Sequence, residues 1–147
     1  MSESNQSFDT LIHPGWVVPV LPKGVVLDNY SVAIKDGRIS ALLPTEEARS
    51  LPAKEVHELP ATVLMPGLIN CHGHAGMTLL RGYADDTPLM PWLEDHIWPA
   101  EGAHVSETFV SDGTELAIAE MLRAGTTTFS DMYFFPNAVA ALSQRLG

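Results

Sequence analysis

One cysteine, Cys71, stands in the 147 residues, so no intramolecular disulfide can form. Cations are scarce too. Eight Lys and Arg against 18 Asp and Glu give a formal net charge of −10, and the eight never cluster into a basic run. Little is left to neutralise phosphates, which argues against nucleic-acid polymers and anionic membranes as partners. No apolar run approaches the ~20 residues of a membrane span. The opening MSESNQSFDT has neither the basic n-region nor the apolar h-region of a secretory leader. The chain is therefore read as cytoplasmic, and its NQS and NYS sequons, which matter only on secreted proteins, as chance matches. Internal repeats and low-complexity tracts are missing as well.

What is present is the composition of an ordinary globular protein, 46% hydrophobic and 18% charged, enough for one core of normal size. Residues 1–65 read as a β-rich segment. Its clearest signal is YSVAIKDGRISALL, where Asp36-Gly37 between two apolar runs predicts a type I′ hairpin. WVVPV and EVHEL are further candidate strands, and TEEARSL suits one or two helical turns capped by Thr45. At Pro66-Gly67 the character changes. GLINCH is a short apolar run bounded by turn residues, as in a parallel strand buried on both faces. PLMPWLEDHIWP and VSETFVSDGTELAIAEMLRAG read as helices, the second with Ser106 as N-cap, Gly125 as stop, and Val110, Ala117, Ile118, Met121 and Leu122 on one face. TTTFSDMYFF then predicts a strand and PNAVAALSQRL a helix begun by Pro136. The order strand, helices, strand, helix over 66–147 argues for two βα units on a parallel sheet.

Two histidines, His72 and His74, close the first of those strands. In a regular strand residues i and i+2 share a face about 6.6 Å apart along the axis, so both imidazoles can meet one ion while Gly73 faces away. Zinc takes imidazole nitrogen at about 2.0–2.1 Å and leaves room for ligands from elsewhere. A bare H-x-H is more often a pair of incidental histidines. Its place at the C-terminal end of a parallel strand, where α/β barrels and open sheets keep their chemistry, favours the metal. Cys71 should point the other way and be a small core residue. His96 and His104 lack partners at metal spacing and are read as surface residues, Asp85 and Asp86 as a solvated acidic pair, and Asp131 as a structural hydrogen-bonding group.

Two blocks, LMPGLINCHGHAGMTLLRGYADDTPLMPWLEDHIWPAE and AIAEMLRAGTTTFSDMYF, resemble the amidohydrolase superfamily. Within it the likeness is to the methylthioadenosine/S-adenosylhomocysteine deaminases and their chlorohydrolase relatives. The likeness covers about residues 62–135. It implies an α/β fold, the N-terminal part of a (β/α)8 barrel preceded by a small β-sandwich segment: residues 1–65 belong to the sandwich, 66–147 are the first two βα units, and the barrel is incomplete here. It implies that His72 and His74 hold one divalent ion, zinc first and iron second. The other ligands and the proton-shuttling groups are expected beyond Gly147, so these 147 residues alone should be inactive. Glu101 falls where the family carries a glutamate on the ribose hydroxyls, against the plainer reading of an exposed residue near a helix start. Trp92 matches an aromatic lining the nucleoside site, against an ordinary core tryptophan.

The resemblance thus implies deamination of the adenine ring of 5′-methylthioadenosine or S-adenosylhomocysteine by a metal-activated hydroxide, in a homo-oligomer when full length. The partner is a small purine nucleoside, and the lack of a Gly-rich phosphate cradle suits an unphosphorylated one. Two other readings stay open: hydrolysis of another N-heterocycle (guanine, a pyrimidine or a triazine), or a non-catalytic module binding metal or a partner through an open βα layer.

Overall fold

The computed structural model describes residues 7–147. The chain divides into two compact units, Met1–Pro66 and Gly67–Gly147. The first is a mostly antiparallel sheet built around β1 (Phe8–Val17), with β2 (Leu27–Asp28) and β3 (Tyr30–Lys35) antiparallel to it and β4 (Arg38–Pro44) beyond β3. After the short α1 (Thr45–Ala48), β5 (Ala53–Leu64) returns parallel to β1. The β3–β4 connection is the expected hairpin. Asp36 and Gly37 both sit at positive φ, 51° and 70°, which is what a two-residue I′ turn demands.

Two details differ from the sequence reading. WVVPV is strand only to Val17, because Val20 turns to φ 68° just after Pro19, and the strand instead extends back to Phe8. Thr45 does not cap α1. Pro44 holds that position, and the Thr45 hydroxyl accepts a hydrogen bond from Ser31 at 2.8 Å. Ser31 in turn lies 2.7 Å from Nδ1 of the buried His13. This polar string satisfies groups that burial would otherwise leave costly. β1 and β5 shift register between Pro14 and Trp16, where a Cβ on Gly15 would lie 2.4 Å from the Pro60 carbonyl oxygen, so only glycine fits the irregularity.

The second unit pairs β6 (Leu68–Gly73) with β7 (Thr126–Asp131) in parallel. Between them run a 3-10 turn (Ala75–Leu80), a continuous helical rod made of α2 (Leu89–Pro91), a π-helical segment (Trp92–Ile97) and α3 (Trp98–His104), and then α4 (Glu107–Arg123). α5 (Pro136–Leu146) follows β7, with Pro136 in its first turn. The core of this unit is Ile97, Val110, Ala117, Ile118, Val139 and Leu142. Leu122, expected there, is 52% exposed, and TTTFSDMYFF is strand only to Asp131. β6 is largely exposed rather than buried on both faces, since β7 is its one sheet partner among the described residues. For the same reason Cys71 is exposed and is not a core residue. No helix among the described residues is long and apolar enough to cross a membrane.

α4 begins as its sequence dictates. The Ser106 hydroxyl accepts from the Phe109 N–H at 3.1 Å, and Gly125 stops the helix at φ 84°. Ser106→Ala should lower unfolding free energy by about 1 kcal/mol, the usual worth of such a cap. A thermal melt that did not move would show that the exposed cap contributes nothing.

Candidate active site

His72 and His74 lie where β6 stops being regular. β6 pairs Asn70 with Phe129 but Gly73 with Asp131, so three steps on one strand match two on the other, and the extra residue falls at Cys71-His72. Bulges of this kind leave a backbone group unpaired and re-aim side chains. Here the side chain of Asn70 takes up the slack, its Oδ1 accepting from the His72 N–H at 3.2 Å. A Cβ at Gly73 would sit 3.2 Å from Asn70 Nδ2, so glycine leaves room for that brace. The parity argument for a regular strand therefore needs correcting: His74 already lies beyond β6, leading into the 3-10 turn, and the bulge sets the geometry. The two ring centroids are 5.3 Å apart and tilted by 51°.

β7 fastens the other side. Asp131 Oδ1 accepts from the Ala75 N–H at 2.6 Å, directly after His74, and Oδ2 accepts from the Tyr133 N–H at 3.0 Å. One carboxylate thus ties the residue following His74 to the end of β7. The Tyr133 ring stacks on His74, centroids 5.8 Å apart and planes 25° from parallel. Its hydroxyl donates to Glu101 Oε1 at 2.7 Å. Burial, then the hydrogen bond and charge of Glu101, then the charge of Asp131 raise the Tyr133 phenol well above its ordinary range, so it stays a neutral donor.

These residues frame a cavity of about 330 Å³ lined by His74, Met77, Trp92, Leu93, Ile97, Trp98, Glu101, Met132, Tyr133 and Phe134. Its polar groups are few and convergent on an otherwise apolar wall, as in small-molecule sites. Trp92 enters it from the first residue of the π-helical segment, its indole N–H donating to the Tyr83 carbonyl at 3.3 Å. Single π turns inside helices are frequent at functional sites. The structure brings together His74, Trp92 and Glu101 and sets His72 beside His74. It leaves out His104, which is exposed, and His96, which is half-buried with its ring edge-on to Tyr83. Asp85 and Asp86 are exposed. Asn70 and Tyr133 were missed by sequence reasoning. For Asn70 the signal was available, an Asn two residues before the pair. Tyr133 lay in a segment read as strand.

Two imidazoles, one oriented by a stacked ring and the other braced through its backbone, suit a borderline divalent ion such as zinc. Among the described residues no third His, Cys, Asp or Glu joins them in a cluster, so the pair fits as part of a ligand set.

The sequence pattern of the amidohydrolase family matches residues 63–146, more than half of the chain. The chain belongs to the amidohydrolase family. This amidohydrolase is 52% identical over 140 residues to a 5-methylthioadenosine/S-adenosylhomocysteine deaminase of Saccharophagus degradans, covering 95% of this chain and 31% of that protein. It is 43% identical over 139 residues to a 5′-deoxyadenosine deaminase of Methanococcoides burtonii, again 95% of this chain and 31% of the relative. Among solved structures, an adenosine deaminase from Xanthomonas campestris with bound zinc superposes with a TM-score of 0.92 at 50% identity, covering 95% of this chain and 32% of that one. The chain spans about a third of the length of the relatives it matches. Its mixed α/β fold is that of the amidohydrolases.

Proposed function

We propose that the full-length protein containing this chain is a metal-dependent aminohydrolase that deaminates the adenine ring of 5′-methylthioadenosine or S-adenosylhomocysteine, giving the inosine analogue and ammonia. In this reading 1–65 contributes to a small β-sandwich and 66–147 forms the first two βα units of a (β/α)8 barrel. The observation that supports it is the convergence of His74, Trp92 and Glu101 on one cavity. His72 and His74 are two ligands of the ion, zinc by preference. When bound, such an ion supplies Lewis acidity and lowers the pKa of water to about 7.

The chain's own residues bind and orient. Glu101 accepts charge-assisted hydrogen bonds from the vicinal ribose hydroxyls. Trp92 offers a flat apolar face to the nucleoside, and Met77, Leu93, Ile97 and Phe134 extend that apolar wall, against which the thioether carbon and sulfur common to both 5′ substituents can pack. No Lys or Arg stands in this lining, which suits a nucleoside rather than a nucleotide.

Loss of adenine absorbance on incubating the full-length, zinc-loaded protein with 5′-methylthioadenosine and S-adenosylhomocysteine is the direct test. If both stay intact while guanine or a triazine is hydrolysed, the substrate assignment is overturned. Glu101→Ala is expected to raise the KM for 5′-methylthioadenosine by about 10–100-fold, the worth of a hydrogen bond to a charged group. Turnover of 2′,3′-dideoxyadenosine, which lacks both hydroxyls, should hardly change. Equal damage to both substrates would show Glu101 to be structural.

A further inference from the structure

Tyr133 has no place in the substrate-binding roles assigned above, yet its backbone, ring and hydroxyl are each held by a different neighbour. Its backbone N–H is fixed by Asp131 Oδ2 at 3.0 Å, and the same carboxylate holds Ala75 beside His74. Its ring lies against Gly76, where a Cβ would come 3.0 Å from Cδ1 and 3.1 Å from Cε1, so a side chain there would press the ring aside by a few tenths of an ångström. The Phe134 ring meets it edge-on at 4.9 Å. From this seat the two ends of the side chain serve two different groups: the ring face stacks on His74, and the hydroxyl donates to Glu101 Oε1. Glu101 is 32 residues away in sequence, on α3, so the bridge joins the helical rod to the end of the sheet.

We propose that Tyr133 is a positioning residue that ties the His74 imidazole to the Glu101 carboxylate, so that ion binding and ribose recognition share one support. The proposal rests on the aminohydrolase reading of the same cavity. A glutamate on a helix samples several rotamers, and binding must freeze them. A hydroxyl that already holds Oε1 removes that entropy cost before the nucleoside arrives, while Oε2 and the second lone pair of Oε1 remain for the ribose hydroxyls. At the other end, a stacked ring restricts rotation of the His74 plane, which is what orienting groups around metal ligands do.

The two ends can be separated. In the full-length protein Tyr133→Phe keeps the ring and deletes the hydroxyl: the KM for 5′-methylthioadenosine should rise about tenfold, zinc affinity measured by chelator competition should stay unchanged, and 2′,3′-dideoxyadenosine should be turned over as before. Tyr133→Leu removes the ring face as well, and zinc affinity should then fall about 10–100-fold. Adding Tyr133→Phe to Glu101→Gln should do no further harm, because the hydroxyl acts through that carboxylate. The proposal is overturned if Tyr133→Phe leaves the nucleoside KM at the wild-type value, or if its effect multiplies with that of Glu101→Gln. It is also overturned if Phe and Leu weaken zinc equally. A wild-type protein that leaves 5′-methylthioadenosine intact would sink the aminohydrolase reading and this proposal together. Normal wild-type turnover with an inert Tyr133→Phe would sink this proposal alone.

Discussion

Alanine at His72 or at His74 is expected to strip zinc from the full-length protein and to cut deamination by more than about 100-fold. The floor comes from comparison: losing a group that merely orients a ligand already costs about 10–100-fold in metal affinity or activity, so losing the ligand itself costs more. Both positions should behave alike. Their rings are 5.3 Å apart, and two bonds of about 2.0–2.1 Å with half a ring on each side span that distance. Cys71→Ala is the internal control. Cys71 sits in the same bulge, so a variant that damaged the site only by disturbing β6 would resemble it. Zinc content by elemental analysis should therefore fall in both histidine variants and hold in Cys71→Ala. Unchanged zinc in both histidine variants would remove the pair from the site, and a loss in the cysteine variant would mean that the strand, and not the imidazoles, is being measured.

That control is needed because of how the pair is built, and the construction was only half legible in the sequence. H-x-H after a short apolar run points to the end of a parallel strand, and β6 and β7 are parallel. The bulge left no mark, because register is a property of two strands and the partner of Gly73 is Asp131, 58 residues later by position. Signals that are complete within a few residues were readable: Asp36-Gly37 for the hairpin, Ser106 and Gly125 for the ends of α4. Signals needing a distant partner were not. Thr45 looks like a cap until Ser31 claims its hydroxyl, and Tyr133 looks like strand until Asp131 ends β7 and Glu101 and His74 hold its two ends. Burial failed in the same manner. Cys71 and Leu122 carry the apolar pattern of covered residues, and cover is supplied by other segments.

The same alanine substitution in two helices should have opposite effects. Glycine inside a helix costs up to about 1 kcal/mol relative to alanine, so Gly→Ala stabilises wherever a methyl group fits. At Gly102, in α3, a Cβ meets nothing within 4 Å, and Gly102→Ala should raise unfolding free energy by about 0.5–1 kcal/mol. At Gly113, in α4, the Cβ would lie 2.3 Å from the carbonyl oxygen of Gly76 and 3.0 Å from its Cα. That neighbour is backbone and cannot rotate aside. It is flanked by Ala75, whose N–H is bound to Asp131, and lies under the Tyr133 ring. α4 must move instead, carrying Val110, Thr114, Ala117 and Ile118 out of register with the core. Overpacking of this kind costs about 1–3 kcal/mol, and with backbone on both sides the upper part of that range applies, so it outweighs the gain in propensity. Gly113→Ala should therefore lower stability by about 2 kcal/mol in denaturant titrations, and zinc affinity should fall with it, because the displaced Gly76 is two residues from His74. Stabilisation at both glycines would mean that α4 does not press on the turn that follows the histidine pair.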